Sequence, residues 1–568
     1  MEFNIDRFHK YDNINQLYHI YGSDGMSRIV IISLYDEFCL GPRYITSLLQ
    51  TEGHQAELVL FKHCHAAYET PKEKRDPRDY LEHFYAGIHE IRLLQNFIKE
   101  REPLWVGFSF MSVSSGLAVE LTKHVREVTD APIVWGGIDT TVNPEWAIEH
   151  ADIICVNEGE HASLELTQAL ETGRDISSIP NLWVKKNGAV IRNDIRPLIQ
   201  DLDSLPYPNF DESTIWHIDH EQMRQGYLPD CSPLNPWYIV MTSRGCPYRC
   251  TFCIHGLGHE MAKGKGKYLR RRSVKNVIGE LLEHKRRKPY TSQIMFYDDV
   301  FTYDRKWIAE FAAAYKKEIH IPFWVYTYPD MCDPEILRQL RDVGLIYVHM
   351  GIQSGSESVL RELYDRQMSP QKVLTAGKTL KDLGIFTIYD MLVGIPLETE
   401  EQLRESLRLI LQIPEPFGLN VWPIIYYRNY KLTKDLHAAD ADDQVQHVKG
   451  TNASITPENT PYLRFWLSLL RLTRYPQIPR EMFPTLLENE ALRNDPTPLE
   501  MMERSLYKAV FVHNSEYLHK DIFIDQLQTA NAQLLQEIEQ LRNRKVMKLQ
   551  NRIQQVLRWP QPAAIQAN

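Results

Sequence analysis

Two long tracts of this chain alternate short apolar runs with amphipathic stretches. In the first, Arg28–Leu34 (RIVIISL) is β-branched and apolar on both faces, the pattern of a central strand in a parallel sheet. A helical pattern follows around Pro42–Glu52, then a strand at Ala56–Phe61 and a charged helix over about Asp79–Glu100. Strand Leu104–Phe110, helix Ser115–Val128, strand Pro132–Trp135, strand Ala151–Val156 and a helix to about Leu170 complete the tract. This alternation predicts an α/β doubly wound, Rossmann-like domain over residues 26–170, with ligands taken beyond the carboxyl ends of its strands. Residues 171–236 lose the rhythm and hold seven prolines, so they read as linker. At Trp237 a second series begins, with strands at Trp237–Met241, Gln293–Phe301, Pro322–Thr327, Tyr347–Ile352, Thr387–Val393 and Asn420–Ile424. Six parallel strands predict a partial (β/α)6 barrel over residues 237–430 with its site at the strand C-termini. Residues 431–515 read as a mostly helical region and 516–568 as a long helix with a tail.

Composition narrows the picture. At 568 residues the chain exceeds one ordinary core. Hydrophobic and charged fractions of 43% and 24% are those of a soluble globular protein. Sixty-four Lys and Arg against 74 Asp and Glu give a net charge of −10, which argues against a general nucleic-acid binder. No apolar run of about 18 residues predicts a membrane span, and the polar start, Met1–Lys10, has no signal-peptide core. Eight cysteines in 568 residues are not a disulfide framework, so the expected compartment is a reducing cytoplasm.

Three of those cysteines fall in Thr242–Gly256 (TSRGCPYRCTFCIHG), directly after an apolar strand. Cys246, Cys250 and Cys253 have the spacing C-x3-C-x2-C. Three thiolates hold three irons of a [4Fe–4S] cluster, whereas the usual protein site supplies four. The fourth iron stays open, as a catalytic metal site requires. A zinc site would pair C-x2-C with a distant second pair, which is missing here. At the end of the second barrel strand, Asp298 and Asp299 form adjacent carboxylates, the material of a general acid/base couple.

The full pattern, with Phe252 before the last cysteine, resembles the signature of the radical S-adenosylmethionine (SAM) superfamily. The resemblance implies that Cys246, Cys250 and Cys253 hold the cluster, that SAM chelates its open iron, and that the reduced cluster cleaves SAM to a 5′-deoxyadenosyl radical. It gives Asp298 or Asp299 a different role, accepting hydrogen bonds from the SAM amino group. Met350–Glu357 (MGIQSGSE), with Gln353 and Ser354, resembles the segment that touches the SAM ribose and carboxylate. Leu392–Thr399 (LVGIPLET), with Gly394 and Pro396, resembles the strand end packed near adenine. In the first domain, Asp36–Gly41 (DEFCLG) matches the D-x-H-x-x-G loop of cobalamin-binding domains, except that Phe38 replaces the histidine. Ser109 sits in the family's S-x-L position, and Gly136-Gly137 matches its glycine pair. As a set these resemble cobalamin-binding radical SAM enzymes, both methyltransferases and anaerobic porphyrin ring cyclases. The implied cofactors are a [4Fe–4S] cluster, SAM and cobalamin. The implied partners are a small-molecule or natural-product substrate and an electron donor such as flavodoxin or ferredoxin. The leading expectation is methyl transfer to an unactivated carbon. The alternatives are non-methylating cyclisation or ring rearrangement and a non-catalytic cofactor sensor.

Four further stretches stand apart. Many relatives have Y-P-G-T-x-L after the last barrel strand, whereas Tyr427–Leu432 reads YRNYKL. His63-Cys64-His65 has poor metal-ligand spacing and reads as a strand end. Pro461–Arg474 is a basic, aromatic amphipathic helix that suits either a membrane surface or packing on the domain. Ile524, Leu527, Asn531, Leu534, Ile538 and Leu541 keep heptad spacing, predicting a coiled coil for homodimer contact or partner docking, or else a helix folded onto the body.

Overall fold

The computed structural model describes residues 27–36, 38–62, 86–226, 237–448, 451–455 and 460–507. His63-Cys64-His65 and the heptads of 524–541 lie outside the described residues. Strands β1 (Arg28–Leu34), β2 (Gln55–Phe61), β3 (Trp105–Ser109), β4 (Ile133–Gly136) and β5 (Ile153–Cys155) form a parallel sheet in the order 2-1-3-4-5. Alternate side chains of a strand point to opposite faces, so β1 feeds two cores. Val30, Ile32 and Leu34 meet Leu94, Phe97, Leu117 and Leu121 of the helices Ile88–Arg101 and Ser115–Arg126. Ile29 and Ile31 meet Leu49, Ala162 and Leu166 of the helices Leu40–Thr51 and Glu160–Thr172 on the other face. Each such side chain contributes about 1.5–3 kcal/mol on burial.

The stretch read as linker contributes four strands to this sheet. β6 (Leu182–Lys186) and β7 (Ala189–Arg192) extend it antiparallel beyond β5. β8 (Ile215–Asp219) pairs parallel with β2, and β9 (Gln222–Gln225) closes that edge, giving nine strands. The β6–β7 turn is Asn187-Gly188, both at positive φ, the local chemistry of a tight hairpin.

The second sheet has six parallel strands in sequential order: β10 (Trp237–Val240), β13 (Gln293–Phe296), β14 (Phe323–Thr327), β15 (Leu345–Gln353), β16 (Phe386–Val393) and β17 (Gly418–Pro423). The short pair β11 (Ser243–Arg244) and β12 (Arg270–Arg271) sits apart and ties down the cysteine loop. A shared core joins the two sheets. Leu40 and Tyr44 of the first domain, Ile199, Leu202 and Leu205 of the connecting stretch, and Ile239, Met295 and Trp324 of the barrel pack together.

The helix Pro461–Leu472 packs on the domain. Leu463, Phe465, Trp466, Leu469, Leu470 and Leu472 are buried. Arg471 donates to the Val421 carbonyl at 2.7 Å and Arg474 to the Leu419 carbonyl at 3.1 Å, so guanidinium groups cap the edge strand β17. Its apolar face is thus used internally. Among the described residues no helix is long and apolar enough to cross a membrane.

Candidate functional site

The cysteine loop is fixed from three sides. At its start, Gly245 has φ +88° and a Cβ there would lie 2.4 Å from the Tyr268 carbonyl oxygen, so only glycine fits. In its middle, the Thr251 amide donates to Tyr364 O at 3.1 Å, and Leu432 N donates to Thr251 O at 3.1 Å. Leu432 belongs to the segment that lacks the Pro-Gly-Thr turn. That segment also reaches the first domain, where Asn429 Nδ2 donates to Val142 O at 2.7 Å. Phe252 packs edge-on against Tyr364, with centroids 4.7 Å apart.

Arg366 carries the electrostatics of the loop. It is buried, lies 4.3 Å over the Tyr328 ring, donates to the Gly351 carbonyl, and points Nη1 at Cys250 Sγ at 3.4 Å. Tyr328 in turn stacks on Tyr248 at 3.8 Å. Burial pushes the Cys246 and Cys253 thiols up to about 12, and Asp299 and the neighbouring thiols add to it. Bare thiols here stay protonated at neutral pH, whereas a bound metal displaces that proton outright. The thiols are close enough to act on one another, yet among the described residues no three His, Cys, Asp or Glu side chains gather as tightly as one ion requires. Four polar atoms around the loop, Tyr328 Oη, Tyr364 Oη, Arg366 Nε and Gln353 Oε1, are sealed from solvent with no hydrogen-bond partner. Buried polar groups are nearly always satisfied. The donor set and these orphans fit a cluster and a polar ligand bound beside it.

The strand ends divide their labour. Asp298 is 1% exposed and accepts from the Thr242 amide, Thr242 Oγ1 at 2.8 Å and Ser243 Oγ. It therefore anchors the base of the cysteine loop and is not presented to a ligand. Asp299 is 44% exposed, with His255 Nε2 at 2.7 Å, and His255 Nδ1 is 2.7 Å from Tyr268 Oη. Ser354 is also turned inward, 3.3 Å from Ser406 Oγ, and it holds the turn through the Ser356 amide. Gln353, at φ +64°, turns its amide nitrogen toward Gly351 while its side-chain oxygen stays sealed without a partner. Gly394, at φ +84°, accepts from Tyr426 Oη at 3.0 Å beside Pro396.

Next to Pro396, Glu398 is partly buried with Oε2 sealed and unpartnered. Desolvation pushes its carboxyl up to about 8 from the ordinary 4.5. Between those values the folded chain keeps a proton that the unfolded chain has lost. Stability from this group therefore declines as pH rises from 4.5 and levels off above 8. Glu398→Gln is expected to remove the decline, worth on the order of 2–4 kcal/mol. Thermal midpoints of the two proteins at pH 5.5 and 8.5 check this, since equal slopes would reject it.

In the first domain the order 2-1-3-4-5 reverses between β1 and β3, and ligands settle outside the strand ends at such a switch point. Of the expected residues, Gly41, Ser109, Gly136 and Gly137 line a cavity there, whereas Asp36 and Phe38 are not in its lining. Asp36 Oδ1 accepts from the amides of Phe38 and Cys39 at 3.1 and 2.8 Å, forming a turn that leaves Phe38 exposed. Gly137 has φ +95°, and a Cβ would lie 2.8 Å from Phe110 O. That cavity, of about 340 Å³, is lined by Gly41, Ser109, Gly136, Gly137, Met241 and Arg244 among others. A Cβ at Gly41 would meet nothing within 4 Å and would take up cavity space instead.

Met241 and Arg244 are barrel residues at the root of the cysteine loop, so both sites share a wall. Arg244 is anchored in that wall, with Nη2 2.5 Å from Glu160 and Nη1 3.3 Å from Glu158. Arg270 reaches Glu158 at 2.7 Å.

The family model of the radical SAM superfamily matches residues 240–410, which span this loop and the strand ends around it. The chain carries a radical SAM domain. An uncharacterised methyltransferase of Pyrococcus horikoshii is 28% identical over 373 residues, covering 63% of this chain and 76% of that protein. An anaerobic magnesium-protoporphyrin IX monomethyl ester cyclase of Rubrivivax gelatinosus is 26% identical over 305 residues, covering 51% of this chain and 50% of the cyclase. The solved structure of OxsB, a cobalamin-dependent SAM radical enzyme with aqua-cobalamin and SAM bound, superposes with a TM-score of 0.61 at 15% identity, covering 90% of this chain and 80% of that one. The radical SAM domain is thus joined to a Rossmann-like domain in an arrangement with a solved counterpart. Reading the sequence for motifs missed Arg366, Tyr328 and the Arg244–Glu158–Glu160 group, which the fold alone brings to the site. Their only local signal is the run of charges in Asn157–Glu160.

Proposed function

We propose that this radical SAM protein is a cobalamin-dependent methyltransferase acting on an unactivated carbon. The observation that carries this is the shared wall: Met241 and Arg244 line the switch-point cavity while belonging to the root of the three-cysteine loop. Two reactive cofactors held on either side of that wall would meet one substrate. Cys246, Cys250 and Cys253 would hold the cluster. Asp299 and Gln353 would orient the SAM amino and ribose groups, with Gly394 and Pro396 against adenine. Asp36, Phe38, Gly41, Ser109, Gly136 and Gly137 would cradle cobalamin. When bound, these cofactors supply radical formation and a transferable methyl group. The protein fixes their orientation, and Arg366 places a cation beside the cluster thiolate, which favours the reduced, more negative state.

The methyltransferase reading is preferred over cyclisation because the Pyrococcus match covers 76% of its protein, whereas the cyclase match covers half of its own. An electron donor is required, and an oxidisable cluster suits a reducing cytoplasm. The anaerobically reconstituted protein, given SAM, reductant and candidate extracts, is expected to form both S-adenosylhomocysteine and 5′-deoxyadenosine. 5′-Deoxyadenosine alone would favour a cyclase.

Phe38 leaves no imidazole in its loop position to ligate cobalt. The EPR spectrum of protein loaded with cob(II)alamin is expected to lack nitrogen splitting from a protein ligand, and Phe38→His is expected to introduce it. Such splitting already present in the unmodified protein would contradict the assignment.

A further inference from the structure

Inside the barrel, away from the strand ends, lies a polar group that the chemistry above does not use. His349 on β15 places Nδ1 3.5 Å from Asp390 Oδ2 on β16. Asp390 Oδ1 accepts from Asn420 Nδ2 on β17 at 2.8 Å. All three point into the barrel. They alternate with Val348, Met350, Tyr389, Met391, Leu419 and Val421, each at most 2% exposed against the outer helices. The His349 and Asp390 side chains are only partly buried, with exposures of 18% and 23%.

The surroundings are aromatic. Trp324, Tyr326 and Tyr347 have ring centroids 5.1, 5.3 and 5.9 Å from that of His349. Trp324 Nε1 is sealed from solvent without a partner. Among the described residues no lysine or arginine pairs with Asp390. A carboxylate in such a place is costly unless it accepts from every neighbour. It can only accept, so a proton on His349 Nδ1 faces it and leaves Nε2 as the ring's acceptor. A chain that serves the fold alone would be sealed, because an accessible carboxylate–imidazole pair between strands adds little stability. His349 lies four residues before Gln353, about 13 Å along the strand from the end assigned to SAM.

We propose that His349, set by Asp390 and Asn420, positions the substrate by accepting a hydrogen bond from a hydroxyl or N–H carried on a ring-bearing body. The contact is to a part of the substrate remote from the reacting carbon. The proposal rests on the radical SAM reading above.

The test uses the full chain, reconstituted with cluster and with SAM present, and two probes that differ by one O–H, phenol and anisole. Ligand-observed NMR titration of the unmodified protein is expected to give phenol binding about three- to tenfold tighter than anisole, the worth of one hydrogen bond. In His349→Phe the ratio is expected to fall to about 1, and in Asp390→Asn to fall part-way, because either tautomer is then allowed. His349→Gln, which keeps an acceptor, is expected to retain part of it. The Gln and Asn variants carry the test if the Phe variant does not fold. Equal binding of the probes by the unmodified protein, failure of both to bind, or an unchanged ratio in the variants would overturn the proposal. SAM cleavage by the unmodified protein tests the radical SAM reading separately. Loss of cleavage with the ratio intact would remove that reading and leave the recognition site standing.

Discussion

Cys250→Ala is expected to leave the reconstituted protein nearly colourless and to drop 5′-deoxyadenosine formation to the uncatalysed background. Two losses combine. One of three thiolates disappears from a site that has no fourth protein ligand to substitute. The buried Arg366 guanidinium, aimed at Cys250 Sγ at 3.4 Å, loses that contact and keeps only the Gly351 carbonyl and the Tyr328 ring. Losing a hydrogen bond to a buried charged group costs about 1.5–3 kcal/mol, so the loop should loosen as well as lose iron. Iron content and 5′-deoxyadenosine yield are the measurements. Full cleavage of SAM by this variant would sink the assignment of the cysteines. Cys250→Ser is expected to lose activity to a similar extent, because the hydroxyl does not ionise as the thiol does.

Glu160→Ala is expected to cost about 3–5 kcal/mol. Glu160 is nearly sealed and touches Arg244 at 2.5 Å, with Glu158 completing the arrangement at 3.3 Å. Burial pushes the Glu160 carboxyl up, but the charge and hydrogen bond of Arg244 pull it further down, to below the ordinary carboxylate range. A depressed carboxyl contributes stability that is present above its unfolded value and is lost as pH falls through the folded one. The unmodified protein should therefore weaken in acid more steeply than the variant. Because the pair joins the first domain to the root of the cysteine loop, the variant should also bind cobalamin less tightly than the unmodified protein. Replacing both partners, as Glu160→Leu with Arg244→Met, is expected to recover much of the lost stability, since a well-packed apolar pair is often no worse than a buried ion pair. Denaturant midpoints at pH 7 and pH 4 for the unmodified protein and the two variants separate these effects. A double variant less stable than Glu160→Ala would mean that the pair does not act as a unit.

The parts of this molecule that were legible in its sequence are those set by short-range spacing. The cysteine loop needs only eight residues to surround its cluster, and β1 is apolar on both faces because helices cover both. What the sequence concealed depends on pairing between distant residues. The connecting stretch looked like linker because its prolines are dense, yet Asn187-Gly188 between two alternating runs was a hairpin signal that the prolines obscured. Asp298 and Asp299 are adjacent and chemically identical. Only the loop beyond β13, which sends one back under Thr242 and leaves the other toward His255, tells them apart. Ser354 belongs to a recognisable motif, but its hydroxyl serves the turn against Ser406. Arg366 has no pattern of its own and becomes meaningful once the fold lays it on Cys250. The His349–Asp390–Asn420 chain is spread over three strands and 72 positions, and no local reading of any one strand would assemble it.

The two arginines on the last barrel strand bear on how copies of this protein behave together. A partial barrel ends in a free strand, and an uncovered row of carbonyls invites another chain to continue the sheet. Arg471 and Arg474 occupy the carbonyls of Val421 and Leu419 from a helix that arrives some fifty residues later. During synthesis that strand exists before its cover does. The interval between the two is when the nascent chain is most exposed to sticking to its neighbours, and a weakened cover would first be noticed as poor recovery of soluble protein.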